Sequence, residues 1–113
     1  MEATQSKETN YAAVEAEESM QNKELQVGVP WYTEMQWLDM KALCTDPENF
    51  FESYGEWRRE ADKAIVEITN RGLHVKRLFI YVDTFKGWCT YHRLQTNKLA
   101  RKKFISYLLN RER

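Results

Sequence analysis

The sequence predicts an α+β domain: about four helices packed around a short two-stranded sheet. Three observations lead there. Apolar residues recur at helical spacing from Tyr54 to Ile68 and again near the C terminus. The run from His74 to Val82 is β-branched and aromatic, which suits a strand. Two capping boxes, Thr33-Glu34-Met35-Gln36 and Ser53-Tyr54-Gly55-Glu56, mark helix starts.

A chain of 113 residues has room for one domain. Its 4 Trp, 6 Tyr and 5 Phe are enough to carry a small core. Residues 1–24 are rich in Glu, Ser, Gln, Thr and Asn and have few large apolar side chains. Such a segment buries too little surface to offset its ordering entropy, so the sequence predicts a flexible acidic tail over 1–24. The single α+β domain is then expected over 25–113.

Leu25 to Val29 is a short strand candidate that meets Gly28 and Pro30. Pro30 fixes its own φ and pushes Val29 toward extended geometry, so Pro30, Trp31 and Tyr32 form a structural corner. Trp31 is expected to be largely buried against the helix bearing Trp57 and Ala61. A helix from Glu34 to Cys44 follows, with Thr33 as N-cap and Gln36 reaching back to it. Its apolar residues fall on two sides: Met35, Leu38 and Ala42 on one, Trp37, Met40 and Cys44 on the other. A helix apolar on both sides is covered on both or binds something. Trp and Met are favoured in interface cores, so Trp37, Met40 and Cys44 are the partner-binding candidates.

Asp46-Pro47 fits a turn, and Phe50-Phe51 is an aromatic pair in a connector. The helix from Tyr54 to Asn70 presents Tyr54, Trp57, Ala61, Ala64, Ile65 and Ile68 on one face and ends at Gly72, a left-handed cap. The second half of the strand His74–Val82 is apolar on both faces, which predicts helices on both sides of it. Because a helical pair separates the two strands, it is expected to act as a crossover and make them parallel. Asp83 is expected to cap a short helix carrying Phe85, Trp88 and His92. After a cap at Gln95-Thr96-Asn97, the last helix, Lys98 to Asn110, is expected to bury Ala100, Phe104, Tyr107 and Leu108.

From Val27 to Phe104 a set of short motifs stands out: Gly28 to Tyr32, Tyr54 with Trp57, Gly72, Arg77, Phe85 with Trp88-Cys89, and Ala100-Arg101 with Phe104. On these residues the chain resembles a family of small uncharacterised bacterial proteins with a Gly-[Ile/Val]-Pro-Trp-Tyr block and a Phe-x-x-Trp-Cys helix. Tyr81-Val82 stands where that pattern has Asp-Pro. The resemblance implies a bacterial domain and no particular activity.

The candidates for chemistry are few. Cys89 and His92 make one close pair, and Cys44 with His74 would complete a Cys2His2 set. Zinc sites usually show two close pairs, so Cys89 reads more simply as a small buried hydrophobe and no metal is expected. There is no Gly-rich phosphate loop, no nucleophile elbow and no Cys-His-acid pattern. The sequence therefore points away from an enzyme, a cysteine- or metal-dependent activity being what it leaves open, and no cofactor is expected. No apolar leader or long apolar run is present, so reduced thiols, a cytoplasmic location and no membrane association are expected.

Zero net charge conceals a split. Residues 1–24 carry −4, residues 25–70 carry −5 and residues 71–113 carry +9. Either an anionic partner meets the basic part or the charges face each other within one fold. Lys98, Arg101, Lys102 and Lys103 form the candidate basic face for nucleic acid. On a helical wheel, however, Arg101 borders the apolar stripe, so it is expected to be paired, with Asp83 as first candidate and an acid on the helix 56–70 as second. The leading expectation is a non-catalytic protein-interaction or regulatory domain, with a protein partner or self-association. A nucleic-acid-associated protein is the alternative.

Overall fold

The computed structural model describes residues 10–21 and 24–111. A short 3-10 helix, Asn10–Val14, leads into strand β1, Glu17–Gln21. Strand β2, Glu24–Trp31, follows, then helix α1, Glu34–Leu43, and a 3-10 turn at Pro47–Asn49. Helix α2, Tyr54–Asn70, strand β3, His74–Phe79, and helices α3, Val82–His92, and α4, Lys98–Arg111, complete the chain. The sheet order is β1-β2-β3. β1 runs antiparallel to β2, with Glu17 opposite Gly28 and Met20 opposite Leu25. β2 and β3 are parallel, with Val27 opposite Val75 and Trp31 opposite Phe79. The α1–α2 pair is the crossover between them.

Alternation along β2 sorts the two faces. Val27, Val29 and Trp31 point one way, and Trp31 meets Trp57 of α2 with ring centroids 5.6 Å apart. Gly28 points the other way; a Cβ there would lie 2.8 Å from Leu78 and 3.3 Å from Leu109 of α4. The sheet is thus covered by α2 on one face and α4 on the other. The two-sided cover falls on β2, where Val27 and Val29 are buried; of the second half of the run His74–Val82, Leu78 and Ile80 are buried but Phe79 and Tyr81 are exposed, so the cover expected on both faces there is met on one face only.

Both capping boxes form at their first half. Thr33 Oγ1 accepts from the Gln36 amide at 3.2 Å, and Ser53 Oγ accepts from the Glu56 amide at 3.1 Å. Their second halves serve elsewhere. Gln36 Oε1 accepts from the Val82 amide at 2.7 Å, so a residue of α1 caps α3. Glu56 takes the Glu52 amide at 3.2 Å. Gly72 sits at φ +76, the left-handed end of α2.

Several expectations need correction. The sheet has three strands, because residues 17–21 supply an edge partner to β2. The flexible tail expected over 1–24 does not describe residues 10–21 or Glu24: Tyr11 and Val14 are buried, the 3-10 helix packs on α2, and Glu24 opens β2. Two side chains and a ladder of backbone hydrogen bonds anchor a segment whose composition is otherwise polar. The rest of that expectation, on 1–9 and 22–23, lies outside the described residues. β3 ends at Phe79, and Asp83 is the second residue of α3, not its cap; the N-cap position is Tyr81, with Gln36 supplying the acceptor. In α4 the buried stripe is Ala100, Arg101, Phe104, Ile105 and Leu109, while Tyr107 is exposed and Leu108 half-buried.

The corner is buried at Pro30 and Tyr32, and Trp31 is half-buried, less than the sequence predicts. Two guanidinium groups lie near its ring, Arg77 at 4.7 Å and Arg58 at 5.1 Å from the centroid. No helix among the described residues is long and apolar enough to cross a membrane.

Candidate functional site

Arg101 lies on the inner side of α4 and is 2 % exposed. A guanidinium taken out of water needs carboxylates around it. Two supply bidentate pairing. Arg101 Nε and Nη2 donate to Glu15 at 2.9 and 3.0 Å, and Nη1 and Nη2 donate to Asp46 at 3.0 and 3.1 Å. The Phe50 ring lies 4.4 Å from the guanidinium carbon. Burial alone would push the Arg101 pKa down; the bonds from Glu15 and Asp46 outweigh it and hold the charge more firmly than in water.

Asp46 is fixed in turn. Its Oδ2 accepts from Asn49 Nδ2 at 2.9 Å and from the Lys98 amide at 3.0 Å, so it also satisfies a free donor at the start of α4. Burial opposes its charge, but the hydrogen bonds from Arg101 and Asn49 prevail and lower its pKa below the ordinary value. Asn97 caps the same helix through its side chain, to the Ala100 amide at 3.1 Å. The loop after α1 is tied alongside by the Thr45 amide to the Thr96 carbonyl at 2.9 Å.

Arg101 is therefore paired, as its wheel position predicts, but with neither expected partner. Asp83 is exposed in the first turn of α3, and the second partner, Asp46, lies ahead of α2. Arg101 consequently leaves the candidate basic face. Lys102 leans toward Glu17 at 3.7 Å, while Lys98 and Lys103 are exposed.

The partner-binding candidates Trp37, Met40 and Cys44 are all buried, which overturns that assignment. The two-sided split of α1 is correct and the chosen side is wrong. Trp37 meets Phe50 and Tyr54 edge-on, with centroids 6.1 and 6.2 Å apart, and the core closes over Met40. The other side is the surface: Met35 is 72 % exposed and Leu38 51 %. A groove of about 360 Å³, open to solvent, runs beside that side between α1 and α3. Gln36, Asp39 and Ala42 line it from α1, and Val82, Asp83 and Lys86 from α3.

The thiols and histidines do not converge. Cys44 and Cys89 are buried free cysteines, and burial raises both thiol pKa values. His92 is exposed and packs tilted against Trp88, ring centroids 4.5 Å apart, and His74 pairs with Glu24 at 2.9 Å. Among the described residues no group of three or more His, Cys, Asp or Glu is placed to hold a metal ion.

Sequence missed Glu15, Asp46 and the Met35–Leu38 face as features of one surface and one cluster. A signal existed for Asp46, which precedes Pro47 and is a natural capping residue. None existed for Glu15, whose partner lies 86 residues away. Comparison with family models, curated proteins and solved structures finds no match to this chain.

Proposed function

We infer that the domain is a non-catalytic protein-interaction module that docks a partner segment on the outer side of α1 and the adjoining α1–α3 groove. The observation that carries this reading is the exposure of Met35 and Leu38 on a helix whose opposite side is already core. Water-exposed apolar stripes beside a groove are where helical or extended segments set their anchors. The occupant's chemistry follows from the charges around it. In the groove Asp39 and Asp83 are exposed against Lys86, and Glu34 adds an exposed acid next to Met35, so the segment carries apolar anchors flanked by Lys or Arg.

Selection from a displayed library of random 16-residue peptides tests this. The expected result is enrichment of apolar-basic sequences whose binding is lost in Leu38→Asp and retained in Leu99→Asp, an exposed leucine on α4. Absence of such enrichment, or binding indifferent to Leu38→Asp, defeats the reading.

The nucleic-acid alternative keeps one specific support. The Arg77 and Arg58 guanidinium groups gather at the Trp31 ring near the end of β3, and Phe79, the register partner of Trp31, is exposed. Binding to a labelled single strand that falls steeply with salt and is weakened by Phe79→Ala would favour it over peptide docking.

A further inference from the structure

Beneath the N-terminal segment lies a recess walled by five aromatics, Tyr32, Trp37, Phe50, Phe51 and Trp57. Residues 13–15 form its opposite wall. Counted to its mouth it holds about 300 Å³, but only about 20 Å³ is interior space, room for one water. At its edge Glu15 delivers a carboxylate onto one side of the buried Arg101 fork. The two sides of that fork differ. Asp46 holds the Nη1–Nη2 side and is itself pinned by Asn49 and Lys98. Glu15 holds the Nε–Nη2 side and comes from the 3-10 turn that precedes β1. To reach it the backbone turns left-handed at Glu15, φ +63. That conformation is unfavourable for a residue with a side chain.

We propose that this recess is a binding site for small carboxylates with a flat apolar body, and that Glu15 occupies its carboxylate position in the ligand-free chain. A ligand of that class reproduces the side-on pairing with Arg101 and lays its ring among the aromatics, at the place now filled by residues 13–15. Binding therefore displaces the 3-10 turn, and ligand and turn compete for one site. Glu15 lowers the apparent affinity by the fraction of molecules in which it is seated.

Phenylacetate is the probe, with phenylacetamide as its neutral counterpart, and the full chain is used throughout. In the wild type, saturating phenylacetate should accelerate hydrogen exchange at residues 11–16 while leaving α2 and α4 protected. Glu15→Gln, which keeps the shape and removes the competing charge, should bind phenylacetate about tenfold tighter than the wild type. Phenylacetamide should do neither. Unchanged exchange at residues 11–16 at the highest phenylacetate concentration overturns the proposal. So does a folded Glu15→Gln that gains no affinity, or equal binding of the amide. Should Glu15→Gln fail to fold, the exchange result on the wild type decides alone.

Discussion

Arg101 concentrates the energetic stake of single residues in this chain. Its guanidinium is buried between two carboxylates, and removing it leaves both acids without a counter-charge, at a cost of about 3–5 kcal/mol. Arg101→Lys cannot reproduce two bidentate contacts, so chemical denaturation should show a clear loss of stability. Lys102→Ala and Lys103→Ala should each stay within about 1 kcal/mol of wild type, because their charges are in water. The sign of the pH dependence follows from Asp46. Its pKa is lower in the folded chain than in the unfolded one, so its contribution is complete above the ordinary aspartate value, near ~4, and fades as pH falls below it. Acid titration of Asp46→Asn should show a flatter loss of stability below about pH 4 than wild type; an unchanged slope would mean that Asp46 carries no such linkage. At the alkaline end Tyr11, raised to about 12 by burial and by its bond to Glu18, favours its protonated form in the fold, so stability should decline as pH rises past ~10. Two glycines make a paired test of packing. Gly87 is in α3 with open space where a Cβ would go, so Gly87→Ala should stabilise by up to about 1 kcal/mol. Gly28→Ala would press on Leu78 and Leu109 and should destabilise.

At the scale of elements, what the sequence tells depends on whether an element carries its own pattern. α2 does: Trp57, Ala61, Ala64 and Ile68 are buried as their spacing predicts, and its N-cap and glycine stop are in place. α1 shows two apolar sides, and periodicity cannot say which one meets the core. Size decides it, since the indole of Trp37 fills the space between Phe50 and Tyr54 that Met35 or Leu38 would leave underpacked. Denaturation should therefore show Trp37→Ala losing about 3–5 kcal/mol and Met35→Ser or Leu38→Ser less than about 1 kcal/mol. β1 is illegible because Glu17-Glu18-Ser19-Met20-Gln21 has neither alternation nor β-branching. It is a strand because β2 offers it an edge, Lys102 and Asn110 meet it from α4, and Tyr11 and Val14 tie the preceding turn to the core. Removing residues 1–16 should lower the melting temperature by several degrees, since it deletes two buried side chains and one partner of Arg101. A melting temperature equal to that of the full chain would mean that the segment adds nothing to the fold.

Over the whole molecule, the charge split visible in the sequence is answered mainly by chain ends meeting. Glu15 and Glu17 of the leader reach Arg101 and Lys102 of the basic part, and Asp46 joins them from the middle. Two acids of α2 instead pair along their own helix, Glu60 with Lys63 and Asp62 with Arg58, while Glu67 meets Arg71, the first base of the basic part, at the helix end. Glu34, Asp39 and Asp83 remain at the surface around Met35 and Leu38, and this gives the face its preference for a basic, apolar segment. Backbone amide shifts of the labelled full chain, recorded while a selected apolar-basic peptide is added, test that assignment most directly. Perturbations gathered on Met35, Leu38, Asp39, Val82 and Lys86, and abolished by Leu38→Asp, are the predicted result. Perturbations gathered instead on Arg58, Trp31, Arg77 and Phe79, or along the lysines of α4, would contradict it.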